Sequence, residues 1–305
     1  MKKLFIAMLA VAAVTACAKD EAISIDRQAI GFGNPFVENS VRADYSDGKT
    51  LGAFTVYGTV TSKSNSNSVA LFGGDGANVK GSVGATAWNC EETEYWVPNC
   101  TYAFQAVADG VINNGAITVS VGNGDLDLLY AKKSAETNEN AAPTSGVNGN
   151  KVVEFNFTHL MSKVGFSFEN ALGEDSLYGY TITSVSFTGH DTKGTYTISS
   201  GAWDSEYTAA ANDAALDFSA GSATHQIIPG EQTLNVTVAY DILYNDTKIS
   251  ATSVTKSLTY KFAQSTNYNI AVTIPAPGQP IQFSVAETDG IGAWGNGDDV
   301  DLDKE

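Results

Sequence analysis

The chain is 305 residues long and 43% hydrophobic, and 34 acidic residues against 17 basic ones give it a formal net charge of −17. That length suits two domains of ordinary size, each able to bury a core. The acidic balance excludes nucleic acid as a natural partner, because holding a phosphate backbone calls for clustered cations.

In chain order, the first element is a secretory signal over residues 1–16. Lys2 and Lys3 are its positive end, residues 4–14 form an apolar run too short to span a bilayer, and small Thr15 and Ala16 lead into Cys17. A cysteine directly behind small residues resembles the lipobox of bacterial lipoproteins. That resemblance implies lipid attachment at Cys17 and stable anchoring to a membrane. The other reading is an ordinary signal peptide with a cysteine nearby. Ala18-Lys19-Asp20-Glu21 resembles the Lys/acid tag behind the lipid cysteine in surface-exported lipoproteins of Bacteroidetes.

Residues 29–37, AIGFGNPFV, read as a short apolar strand weakened by Gly31, Gly33 and Pro35. Period-two alternation then recurs along the chain. It places Phe54, Val56 and Val60 on one face, then Tyr102, Phe104 and Ala106, then Ile117, Val119 and Val121. Val153, Phe155 and Phe157 follow, then Val164, Phe166 and Phe168, and later Leu234, Val236, Val238 and Tyr240, with Leu258, Tyr260 and Phe262. Such runs between Gly, Asn, Asp and Ser clusters predict antiparallel strands with one buried face. Residues 209–216 are the best stretch for a short helix, and a poor one.

Cys90 and Cys100 are the only cysteines besides Cys17. An oxidising compartment permits a disulfide between them, and closing so short a loop would add roughly 2–3 kcal/mol in the chain-entropy view. Residues 134–150, SAETNENAAPTSGVNGN, are polar and turn-forming and read as a linker or long loop. The chain then divides into a signal (1–16), an anchored propeptide (17–42), one β-sandwich (43–148) and a second (149–305). Pro275, Pro277 and Pro280 break the last strands, so a final strand at Ile281, Phe283 and Val285 stands partly apart.

Catalytic chemistry is hard to find. HExxH, CxxC, P-loop and GxSxG patterns are all absent. His159, His190 and His225 are isolated in sequence, and His159 reads as a satisfied structural histidine. Residues 290–295, GIGAWG, match GxGxxG literally but leave no room for the helix a dinucleotide site needs. Asp298, Asp299, Asp301 and Asp303 lack the fixed glycine and glutamate of a calcium loop, so they read as a solvated tail. The expectation is therefore no enzyme, no cofactor and no metal.

The stretch from Val153 to Phe168, VEFNFTHLMSKVGFSF, resembles the F-x-H-x-x-S-K-V-x-F signature of the fimbrillin family, the type V pilus subunits and surface lipoproteins of Bacteroidetes. Asp127-Leu-Leu-Tyr-Ala131, Glu94-Tyr-Trp-Val-Pro-Asn99 with Tyr102-Ala-Phe104, and residues 281–285 followed by Trp294 resemble other segments of that family in the same order. The resemblance implies an all-β chain of two tandem transthyretin-like β-sandwich domains. It further implies an outer-membrane lipoprotein precursor, an Arg-specific maturation protease that removes the first strand, and other pilin subunits as partners that fill the opened groove. The chain has two arginines, Arg27 and Arg42, both N-terminal. Cleavage at Arg42-Ala43 fits the family's site best, with Arg27 second, and residues 281–285 are the expected donor strand. The competing reading is a lipid-anchored surface or pilus-tip adhesin that never polymerises and binds a glycan or host protein.

Overall fold

The computed structural model describes residues 28–37, 44–45, 49–82, 85, 87–120, 126–172, 176–206, 216–218, 224–274 and 279–287. It is all-β, as the alternation predicts. The largest sheet runs in the order Phe36–Val37, Asn156–His159, Leu129–Thr137, Cys100–Ala108, Ala53–Ser62, Ala77–Lys80 and Asn89–Cys90. Its inward side chains Phe54, Val56, Phe104, Ala106 and Phe157, with Phe155 just before the strand Asn156–His159, are all nearly inaccessible and belong to one hydrophobic cluster. This is the burial that alternation encodes: successive side chains point to opposite faces, so the apolar set lands on one.

Two four-stranded sheets face each other further along the chain. One runs Thr224–Ile227, Ser162–Asn170, Asn267–Ile274, Gln282–Glu287, and the other Leu216–Phe218, Tyr178–Thr188, Gly230–Tyr244, Thr247–Phe262. Their inner faces supply a second cluster that includes Phe187, Val236, Val238, Ile270, Val272 and Phe283. The longest hairpin, Gly230–Tyr244 with Thr247–Phe262, turns through Asn245 and Asp246 at φ 48° and 60°, the conformation a tight hairpin requires and Asn and Asp tolerate. A further sheet, Ile112–Asn113, Ala116–Ser120, Lys193–Thr197, Ala202–Glu206, joins early and late parts of the chain. Beneath it lies a third cluster with Val107, Ile117, Leu128, Tyr196 and Ile228.

Three expectations need correction. Residues 134–150 are no linker: the strand Leu129–Thr137 runs through their first part and pairs with both Cys100–Ala108 and Pro143–Ser145. Ala135, Thr137 and Ala141 are buried there. The buried side chains are small, so the stretch looks polar although one face packs inward. Secondly, Ser162–Asn170 and Asn267–Ile274 pair in parallel, not antiparallel. Alternation is blind to strand direction. Thirdly, Leu216, at the end of the helix candidate, opens the strand Leu216–Phe218, while residues 209–215 lie outside the described residues.

Candidate functional site

The feature that stands out is the path of residues 28–37. On one side this segment runs antiparallel to residues 88–96. The amides of Ile30, Trp88 and Trp96 donate to the carbonyls of Glu94, Phe32 and Gln28 at 2.8, 3.0 and 3.0 Å. On the other side it runs parallel to residues 152–157, in the register Gly31–Val152, Phe32–Val153, Phe36–Asn156 and Val37–Phe157. There the amides of Gly33 and Phe36 donate to the carbonyls of Val153 and Phe155 at 3.0 and 2.8 Å. A strand held on both edges is an inserted strand, and its removal orphans both walls.

Its side chains go to the centre of the first cluster. Phe32 is 1% exposed and lies 6.1 to 6.4 Å, centroid to centroid, from the rings of Phe54, Phe72, Phe104 and Phe155. Ile30 and Val37 are buried as well. Each such side chain stabilises the fold by about 1.5–3 kcal/mol, so together they rival the net stability of a whole domain, about 5–15 kcal/mol. The site cannot stand empty cheaply.

Two glycines fit the segment against its parallel wall. A Cβ on Gly31 would sit 3.1 Å from Val152 Cγ1, a tight contact that a small shift relieves. One on Gly33 would sit 2.7 Å from Glu154 Cγ and 2.9 Å from Val152 Cγ2. Glu154 has little freedom to yield, since its carboxylate accepts a hydrogen bond from the Asn148 side-chain amide.

The sequence motifs gather around this segment. Glu94-Tyr-Trp-Val-Pro-Asn99 is the antiparallel wall. Trp96 is buried edge-on to Tyr102 at 4.7 Å, while Tyr95 faces outward. The Val97 amide donates to the Tyr102 hydroxyl at 2.5 Å, and burial drives that phenol far above its ordinary pKa. The Asp127 and His159 motifs pair directly, Leu129 opposite His159. His159 Nδ1 lies 2.7 Å from the Asp127 carboxylate, and both side chains are 1% exposed. Nearby, burial pushes the Tyr130 hydroxyl up to about 12.

Other predicted site residues fall elsewhere. The disulfide is a correction: Cys90 and Cys100 are both free. Cys90 sits opposite Val79, itself opposite Phe54, whereas Cys100 sits opposite Ser62. Eight residues of one strand separate those positions, about 26 Å at 3.3 Å per residue, against the roughly 7 Å a bridge can span. The residues between them pass beside the inserted segment from one side of the sheet to the other, so closeness in sequence is not closeness in space. Burial raises both thiols above the ordinary cysteine range, and neighbouring Glu91, Glu92 and Glu94 add to it at Cys90.

Ile281, Phe283 and Val285 are in the chain's own sheet. Gln282–Glu287 pairs antiparallel with Asn267–Ile274, and the three side chains are buried in the second cluster. The strand is not detached by the prolines. Cys17, Arg27, Arg42 and Ala43 lie outside the described residues, as does the acidic tail.

The fimbrillin-like family profile matches residues 42–288, over half of the chain. The chain belongs to the fimbrillin-like family. Membership supports a pilus-type adhesion subunit at the coarse level, and a structural role over an enzymatic one. The match begins just past the inserted segment. Among solved structures, the chain is similar to a candidate cell adhesion protein from Bacteroides uniformis (16% identity, TM-score 0.51, covering 87% of this chain and 98% of that one). It is also similar to one from Bacteroides ovatus (15%, 0.52, 89% and 99%) and to a fimbrial protein from Bacteroides vulgatus (13%, 0.52, 86% and 98%). At these identities the likeness concerns the fold. No curated protein matches the chain.

Proposed function

We propose that this fimbrillin-like chain is a subunit of a type V pilus that serves cell adhesion, made as an outer-membrane lipoprotein anchored through Cys17 and polymerised by strand exchange. The observation that carries this reading is the insertion of residues 28–37 between two walls with Phe32 at the core. Cleavage after Arg42 by an Arg-specific protease would cut the covalent tie between that segment and the rest of the chain. Once the segment leaves, two strand edges and several phenylalanines lie open, a template for β-strand addition by another subunit. The start of the family match at residue 42 supports a boundary there. The expected boundary at 148/149 moves, because Val153, Phe155 and Phe157 pack in the first cluster and the second begins at Val164; the two bodies either side of that join then act as two tandem sandwiches of transthyretin type.

The test is Arg42→Ala. The variant should fold, remain membrane-bound through Cys17, and form no filaments when an Arg-specific protease is added. Filaments from Arg42→Ala as abundant as from the parent would refute the cleavage step. N-terminal mass spectrometry of surface filaments should find Ala43 first. A second reading, a surface or tip adhesin that does not polymerise, is favoured by one observation: residues 281–285, the first candidate for a donor strand, are already built into the chain's own sheet.

A further inference from the structure

The second sandwich has an open side. The strand Thr247–Phe262 ends one of its sheets and Gln282–Glu287 ends the other, and neither has a partner on its outer edge among the described residues. The two rims lie over one another, since Lys256 Nζ on the first sits 5.7 Å from the centre of the Phe283 ring on the second. Thr247–Phe262 is 16 residues long and contains no glycine or proline. From Ser250 to Phe262 it pairs with Gly230–Ile242 with no break in register. So long and regular a rim is a template for another strand unless something blunts it.

The inward face of the strand shows what does. Val254, Leu258, Tyr260 and Phe262 alternate into the second cluster, buried or half-buried. Position 256 falls on the same face, opposite the buried Val236, yet it carries a lysine where the pattern calls for an apolar side chain. A lysine can lay its stem along apolar surface and hold its charge over an aromatic ring, here that of Phe283.

Its place along the strand decides what it excludes. Let two copies lay these rims side by side, antiparallel, with the whole unbroken run 250–262 matched. Ser250 then faces Phe262 of the second copy, Val254 faces Leu258, and Lys256, at the midpoint, faces its own counterpart. Side chains directly opposed across two strands stand about 4.5–5.5 Å apart at Cβ, and like charges so placed repel. Pairing would also strip water from both ammonium groups, a cost that an accompanying anion offsets only in part. Sliding the strands to separate the lysines leaves part of each edge unpaired. We infer that the rim Thr247–Phe262 is a latent pairing surface for the same strand of a second copy of this chain, and that Lys256 keeps it shut. This surface is separate from the slot filled by residues 28–37 and does not depend on strand exchange there. In a chain that joins its neighbours through that slot, a shut rim prevents sideways association.

The test is sedimentation velocity on the full chain, left uncut and carrying Cys17→Ala so that no lipid adds to its size. Lys256→Leu should dimerise with an affinity at least about tenfold above the parent's. Lys256→Arg keeps the charge and should sediment as the parent does. In the dimer, amides within residues 250–262 should exchange at least about tenfold more slowly than in the monomer. Urea unfolding of dilute samples shows whether Lys256→Leu is folded. If it is not, Lys256→Gln, which removes the charge from a side chain of similar length, is read in its place. A folded uncharged variant that sediments as the parent does overturns the inference. So does Lys256→Arg dimerising as readily as Lys256→Leu, and so does a dimer whose slowed amides all lie outside residues 250–262.

Discussion

Residues 28–37 and 282–287 are the first and last described strands of the chain, and both bury a phenylalanine, yet they are held differently. The first is bonded on both edges and its Phe32 meets four other rings. The last pairs on one side only, at the rim of its sheet, and Lys256 Nζ sits 5.7 Å from the Phe283 ring centre. Burial alone does not separate them, since Phe32 and Phe283 are 1% and 2% exposed. What separates them is what remains when each is taken away. Losing the rim strand exposes one edge of one sheet. Losing the inserted strand opens a slot with two hungry walls and an aromatic floor.

The comparison can be broken most forcefully at the two rings. Phe32→Ala and Phe283→Ala should each cost roughly 3–5 kcal/mol in urea unfolding, the former at the upper end because four rings lose a partner. Limited proteolysis distinguishes them: Phe32→Ala should speed cutting within residues 28–37, and Phe283→Ala should not. Equal protection of residues 28–37 in both variants would mean the segment is held by its main-chain bonds alone.

A smaller effect is expected at the parallel wall. Gly33→Val forces apart Val152 and Glu154 and should cost about 1–3 kcal/mol, whereas Gly31→Ala needs only a slight shift and should cost less than about 1 kcal/mol. Reversal of that order would show that the wall gives way at Glu154 and that the fit around position 33 is looser than drawn.

Alkaline titration probes the region between the two. The hydroxyl of Tyr130 titrates near 12 when folded and near 10 when unfolded, so the folded form keeps its proton more tightly. Its contribution is complete below about pH 10 and fades as pH rises toward about 12. Urea midpoints should fall over that window, and Tyr130→Phe should flatten part of the fall. An unchanged slope in the variant would place the loss at other phenols, Tyr102 first.

The mildest prediction concerns the thiols. Alkylation in denaturant without reductant should label both Cys90 and Cys100, and reductant should leave the melting temperature of the parent unmoved. A protected pair would mean the wall at residues 88–96 folds back on itself rather than running beside the inserted strand.

The strands that alternate large apolar side chains were legible in the sequence, from Phe54 and Val56 to Leu234, Val236 and Val238, because a period of two has one physical meaning in a sheet. Membership of the family was legible through motifs whose order survives, and the structure gives some of them a physical role: Asp127 meets His159, and Trp96 lines the wall. Three things were hidden. Small inward residues such as Ala135 and Thr137 make a packed strand look like a linker. Strand direction leaves no trace in alternation, so the parallel pairs went unread. Nine residues between two cysteines say nothing of distance when they carry the chain from one side of a sheet to the other. The two walls of the slot come from residues 88–96 and 152–157, far apart in the chain, and no local pattern announces that they will flank the same strand.

The hydrogen bonds that hold residues 28–37 to both walls lie across the axis of the strand. Tension applied along that axis, as on a filament tethered at one end and dragged by flow at the other, would strain the bonds simultaneously. A hairpin pulled open from its tip yields one bond at a time and at low force. A strand drawn lengthwise out of a two-walled slot must lose its bonds and its buried ring together, so it behaves as a mechanical clamp. An occupant of the same slot in the same direction would inherit that strength, and a fibre built of such joints would fail by abrupt rupture under load, with little creep beforehand.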